Sequence, residues 1–267
     1  MRKLTALVAG MTLAMTALPA AAGVVITQKQ HVSSGANSRD TEQTISVQGD
    51  KQKMVTQKRT MIIDLGKGMM FVLDPSTKTY FQMEFPPKGA MANMMAASRD
   101  AAMNFKKAGT TRDIAGYKCT DYDGGGHVMQ GDYTVKECFS KSAPGADEFA
   151  AFEKQMTDKL NSASSSSATG EVPGGVPLAM DASMKPGIGM VGNIPGMKPE
   201  QLEQIKEAMA KRPPIMTSQV VEKIESKKLA ASDFEIPSDY TKKEMPTAPS
   251  PGMMKMAPQA ATSPAAH

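Results

Sequence analysis

The chain has 267 residues, a formal net charge of +4 and a pI near 8.9, which is enough length for one or two domains with a buried core. Leu, Ile, Val and Phe make up only 43 of the 267 residues, while Met contributes 24, Trp is absent and there are three His. So mild a basicity gives no case for nucleic acid, and so few histidines exclude a His-rich metal or catalytic centre.

Residues 1–22 read as a secretory signal. Arg2 and Lys3 supply the positive start, Leu4 to Leu18 is an uncharged apolar run, and Ala20-Ala21-Ala22 is a small-residue cleavage pattern. The run is too short to span a bilayer, so the reading is export with cleavage before Gly23 and a mature chain without a transmembrane anchor. No Cys follows that point, so no lipid anchor is expected. Removal of Arg2 and Lys3 leaves Lys+Arg 29 against Asp+Glu 27.

From Gly23 to Phe85 the pattern is short strands and turns. Val24, Ile26 and Val32 alternate with polar residues, Thr41–Val47 follows, and Gly49-Asp50 is a turn signal. Met61, Ile63 and Leu65 share one number parity, as do Met69, Phe71 and Leu73, and Phe81, Met83 and Phe85. Because side chains alternate along a strand, these nine are expected on one greasy face of an antiparallel sheet. Thr60, Asp64, Gln82 and Glu84 fall on the other. Pro86-Pro87 ends the run, and Met91–Lys107 predicts a helix with Met91, Met95, Ala102 and Phe105 in one stripe over that face.

Two strands are expected at Tyr117–Asp123 and Asp132–Phe139, carrying Cys119 and Cys138. A hairpin centred between Val128 and Met129 would set the cysteines opposite one another, close enough for a disulfide. The rival is a pair of metal-binding thiolates, but no second Cys pair or neighbouring His set accompanies them. Ala146–Leu160 reads as a helix with Phe149, Phe152, Met156 and Leu160 on one side. Pro199–Lys211 reads as another, with Leu202, Ile205 and Met209. Strands are expected to resume at 216–227 and 233–237. Stretches 162–175 and 183–198 read as flexible insertions, and 245–267, rich in Met, Pro and Ala, as a disordered tail.

The motifs of common catalysis are missing: no G-x-S-x-G, P-loop or H-E-x-x-H. His31 and His127 read as solvated surface residues. No cofactor is implied and no enzyme is expected. Methionine is the anomaly, since thioether sulfur suits Cu(I). The candidate clusters are Met91/Met94/Met95, Met180/Met184/Met190/Met197 and Met253/Met254/Met256, each also explicable as an adaptable filler of apolar space.

Three stretches carry a resemblance: Ile114-Ala115-Gly116-Tyr117-Lys118-Cys119, Gly175-Val176-Pro177-Leu178, and Ser232-Asp233-Phe234-Glu235-Ile236-Pro237-Ser238-Asp239-Tyr240. Their order along residues 23–244 resembles a bacterial family of exported proteins with a domain of unknown function, itself similar to periplasmic lipoprotein carriers of the LolA type. The resemblance implies an α+β fold: a curved, half-open antiparallel sheet, an incomplete barrel, with helices over its concave face and room for acyl chains between. The resulting expectation is a periplasmic, non-catalytic binder of a lipid or acyl chain. Its expected wall is Met61, Ile63, Leu65, Met69, Phe71, Leu73, Phe81, Met83, Phe85, Met91, Met95 and Phe105. The alternatives are a methionine-rich copper binder and a structural envelope protein with a closed core.

Overall fold

The computed structural model describes residues 22–88, 105–128, 131–163, 173–187 and 198–244. The signal segment up to residue 21, the residues carrying Met91 and Met95, and the tail from 245 lie outside the described residues.

The strands, in chain order, are β1 (Gly23–Ser34), β2 (Asn37–Gln48), β3 (Lys51–Thr56), β4 (Thr60–Asp64), β5 (Met69–Asp74), β6 (Thr79–Glu84), β7 (Lys106–Ile114), β8 (Tyr117–Val128), β9 (Gly131–Ser140), β10 (Val176–Pro186), β11 (Ile215–Lys227) and the two-residue β12 (Thr241–Lys242). Two helices, α1 (Ala146–Ala163) and α2 (Pro199–Ala210), accompany them. One sheet takes all twelve strands in the order β12-β6-β5-β4-β3-β2-β1-β11-β10-β9-β8-β7. Neighbours are antiparallel except β12, which runs parallel to β6. The edge strands β12 and β7 do not pair with each other, so the sheet is open. At the β7 end it curls: β7 approaches β11 although three strands lie between them.

Short connections build most of this order. Ala115 and Gly116 both take positive φ and close the β7–β8 hairpin in two residues; Gly116, lacking Cβ, adopts it freely, while Ala115 is held there by the turn against its Cβ penalty. Helix α1 runs three residues past Leu160. Its entry is jammed onto β1: a Cβ added to Gly145, at φ +72°, would stand 2.5 Å from the Cβ of Val24. Glycine is what lets the helix start there.

The two faces of the sheet are covered differently. On one, the helix face, α1 lays Phe149, Phe152 and Leu160 over Val24, Ile26, Val47, Leu178, Val221 and Ile224. On the other, the strap face, the chain after β11 returns across the sheet. Leu229, Phe234, Ile236 and Tyr240 pack on Ile62, Phe71, Leu73 and Tyr80. Gln48 brackets the start of this strap, accepting from the Leu229 N–H at 2.7 Å and donating to its carbonyl at 3.2 Å. Lys53 donates to the Asp233 carbonyl at 2.8 Å, and Lys78 pairs with Asp239.

Three expectations change. The strand expected at 233–237 is instead a 3-10 turn over Ala231–Phe234, because the Asp233 carboxylate accepts from the Ala230 N–H at 2.8 Å and caps it. Lys106 and Lys107, expected at the end of a helix, instead begin β7; cross-strand pairing of Lys107 with Tyr122 outweighs helical spacing there, and most of the expected helix lies outside the described residues. The insertion expected from 183 starts later, because Ser183–Pro186 complete β10 between β9 and β11.

Candidate functional site

Which apolar groups share a face is decided by hairpin register. Asp64 opposes Met69 across one turn, and Asp74 opposes Thr79 across the next. Each connection holds an even number of residues, so an odd-numbered residue on one strand faces an even-numbered one on the next. Met61 therefore opposes Val72, which opposes Phe81; Ile63 opposes Met70, which opposes Met83. Met69, Phe71 and Leu73 point the other way. The expectation that all nine residues share a face is thus corrected: Phe71 and Leu73 belong to the cluster under the strap, and Met69 pairs with Glu84 on that same face.

The helix face of β3–β6 consequently consists of two cross-strand rows. One runs Val47, Gln52, Ile63, Met70, Met83 across β2 to β6. The other runs Ile45, Met54, Met61, Val72, Phe81. Met54, Met70 and Val72 are the wall residues that the sequence reading missed; the lengths of the two hairpin connections were the signal that could have found them. Ile63, Leu65 and Phe85 are buried in the helix-side core, whereas Met54, Met61, Met70, Val72, Phe81 and Met83 are only half-buried. At the β4–β5 turn end of the sheet an open groove of about 520 Å³ is lined by Lys67, Met69, Glu84, Phe85, Pro86 and, from the end of α1, Ala163, and so takes in residues from both faces.

Phe105 lies elsewhere. Its ring meets Phe139 edge-on at 5.7 Å, and Tyr122 meets the same ring at 5.7 Å, at the β8–β9 side of the sheet. The disulfide stands beside them: Cys119 and Cys138 are bonded, both fully buried, with Cα atoms 5.3 Å apart. They are not directly opposite as expected. Asp121 opposes Cys138, because the hairpin closes between Val128 and Gly131, a shift of two residues, and the bond runs diagonally.

The helix face also holds polar groups. Gln28 and Gln43 are buried partners, joined at 2.8 Å between β1 and β2. Glu137 opposes both Tyr122 and Met180. Burial, and then the nearby Glu153 of α1, push its carboxyl up to about 7; burial raises the Tyr133 phenol as well, and the charge of Glu137 adds to that. The histidines serve cross-strand surface pairs, His31 with Asp40 at 2.7 Å and His127 with Asp132 at 2.8 Å. Among the described residues no group of three or more His, Cys, Asp or Glu could hold a metal ion, and no helix is long and apolar enough to cross a membrane.

A family model described as a domain of unknown function, DUF4412, matches residues 35–206. The chain belongs to the DUF4412 family. That match spans the sheet from the end of β1 to α2. No curated protein matches the chain. Among solved structures it is similar to PNGF-II, at 9% identity and a TM-score of 0.40, covering 84% of this chain and 31% of that one, so it spans about a third of that protein's length. It is also similar to the LolA superfamily protein NE2245 from Nitrosomonas europaea, at 7% identity and a TM-score of 0.29, covering 82% and 91%. A third is a putative outer membrane lipoprotein-sorting protein domain from Vibrio parahaemolyticus, at 7% and 0.30, covering 79% and 88%.

Proposed function

We propose that this DUF4412 protein is an exported, non-catalytic binder of an apolar ligand, a lipid or acyl chain, held on the helix face of β3–β6. The observation that carries the reading is a change of chemistry along one face. Under α1 the face is mostly aliphatic and buried, with Val24, Ile26, Val47, Leu178, Val221 and Ile224, and Ile45 half-buried; over β3–β6 Gln52 and Ile63 stay buried, but Met54, Met61, Met70, Val72, Phe81 and Met83 are half-buried. Unbranched thioethers adapt to a partner without fixed shape, whereas branched side chains lock into a closed core. The curved, half-open arrangement of the carriers is the form this proposal gives to the open sheet. The leader at residues 1–22 and the buried disulfide support export to an oxidising compartment, the periplasm.

The test is titration of the mature chain with a fluorescent fatty acid, alongside Met70→Trp. The expected outcome is saturable binding by the parent and weaker binding by the variant at nearly unchanged thermal stability. No binding by the parent, with a marked loss of stability in the variant, identifies a closed core and an envelope protein of structural type.

A further inference from the structure

The register that splits the nine expected residues also assembles a group that number parity conceals. Met54 on β3 directly opposes Met61 on β4, and Met70 on β5 directly opposes Met83 on β6. Met61 and Met70 are diagonal neighbours, since Met61 opposes Val72 and Met70 opposes Ile63. Directly opposed Cβ atoms lie about 4.5–5.5 Å apart, and diagonal positions stay within reach of long side chains. Four thioethers thus form one unbroken line across four adjacent strands, all on the same face and all half-buried. The central strands β1, β2 and β11 place no methionine on that face, using Val24, Ile26, Ile45, Val47, Val221 and Ile224 instead.

We propose that Met61 and Met70, with Met54 or Met83 as a third donor, form a thioether site for a soft monovalent cation of the Cu(I) class, because the outer two stand three strand spacings apart and cannot both reach one ion. Neutral sulfur is a soft donor and selects Cu(I) over hard or borderline ions. A single charge at a half-buried place keeps part of its hydration and loses less on binding than a divalent ion would. Ile63, Val72 and Phe81 fill the positions around the sulfurs, so the line offers no carboxylate or imidazole to attract zinc or Cu(II). A thioether carries no proton at any relevant pH, and metal binding here displaces none. Affinity should therefore stay flat between about pH 5 and 8, unlike that of a His or Cys site. This inference stands apart from the acyl-chain reading, because it uses the sulfurs as donors rather than as apolar bulk.

The experiment is a Cu(I) titration of the full mature chain under reducing conditions against a chromophoric chelator, at several pH values. It is run on the parent, on Met61→Leu/Met70→Leu, and on Met180→Leu/Met216→Leu as a control. Leucine keeps the apolar volume, and thermal melts verify that each variant folds. The expected result is one equivalent bound with sulfur-only coordination by X-ray absorption, pH-independent, weakened about tenfold or more in the first double variant and unchanged in the control. Absence of a competitive equivalent in the parent, or equal affinity in both double variants, overturns the site. Fatty-acid binding measured on the same samples reads the acyl proposal separately, since either can fail while the other holds.

Discussion

The helix face of this sheet is two surfaces in one. Over β1, β2 and β11 it is a closed core: Val24, Ile26 and Val47 are inaccessible beneath Phe152, which is itself completely buried. A few strands away, with the same backbone hydrogen bonding and the same alternation, most side chains are Met, Val and Phe and only half-buried, with Gln52 and Ile63 buried among them. Secondary structure does not distinguish the two regions; side-chain shape does. Branched groups with one favoured rotamer suit a fixed helix as partner, and flexible thioethers suit a partner whose shape varies. The strap face of β4–β6 makes the contrast sharper, because there Ile62 and Leu73 are buried under a segment of the chain itself, with Phe71 half-buried beside them.

The largest expected effect compares two phenylalanines. Phe152→Ala, in the closed region, should cost about 3–5 kcal/mol in urea melts. Phe81→Ala, in the half-buried region, should cost less than half as much. Equal losses would erase the distinction between the regions.

Next comes the disulfide that fastens the curled end. Opening the Cys119–Cys138 bond, which spans 19 positions of sequence, should cost about 3 kcal/mol in the chain-entropy picture. Melts of protein with and without reductant measure it, and intact mass tells whether the thiols are paired. Free thiols in protein purified without reductant would contradict the bond.

A third effect acts where α1 meets β9. The Glu137 carboxyl titrates near 7 in the folded chain, against about 4.5 unfolded, through burial and then Glu153. Its raised value means that the folded state prefers the protonated form. The associated stability is complete below about pH 4.5, falls as pH rises towards 7, and is absent above it. The span is at most about 3 kcal/mol. Glu137→Gln should flatten the pH profile and raise stability at pH 8 by about 1–3 kcal/mol. A profile that keeps its slope in the variant would place the effect elsewhere.

How far these regions could be read from sequence follows from their physics. Helix α1 was legible because Phe149, Phe152, Met156 and Leu160 keep one period over several turns, and most of β1–β6 because alternation and turn residues punctuate them. The antiparallel pairing of β4–β6 was legible in alternation and tight turns, whereas the open form came from the resemblance. Assignment of Met69, Phe71 and Leu73 failed because alternation sets parity within a strand, while the loop sets it between strands. Strand β10 was missed although Val176, Leu178, Met180, Ala182 and Met184 alternate, because Pro177 and the small residues among them mask the signal, and pairing with β9 and β11 makes it a strand. The turn at Ala231–Phe234 was missed because Phe234 and Ile236 alternate as a strand would, yet both serve the strap.

The smallest stability effect is expected where the functional effect is largest. Met61→Leu and Met70→Leu, alone, should change stability by less than about 1.5 kcal/mol, since volume is conserved. A larger loss would mean that these thioethers are packed as tightly as the aliphatic core beside them.

The most direct measurement is the fluorescent fatty-acid titration of parent and Met70→Trp together with their melting curves. A surface that adapts to a ligand predicts saturable binding by the parent, a clear loss of affinity in the variant, and melting temperatures that stay close. A closed core predicts the reverse: no binding by the parent, and a variant destabilised by about 1–3 kcal/mol through overpacking. That second pattern would contradict the account.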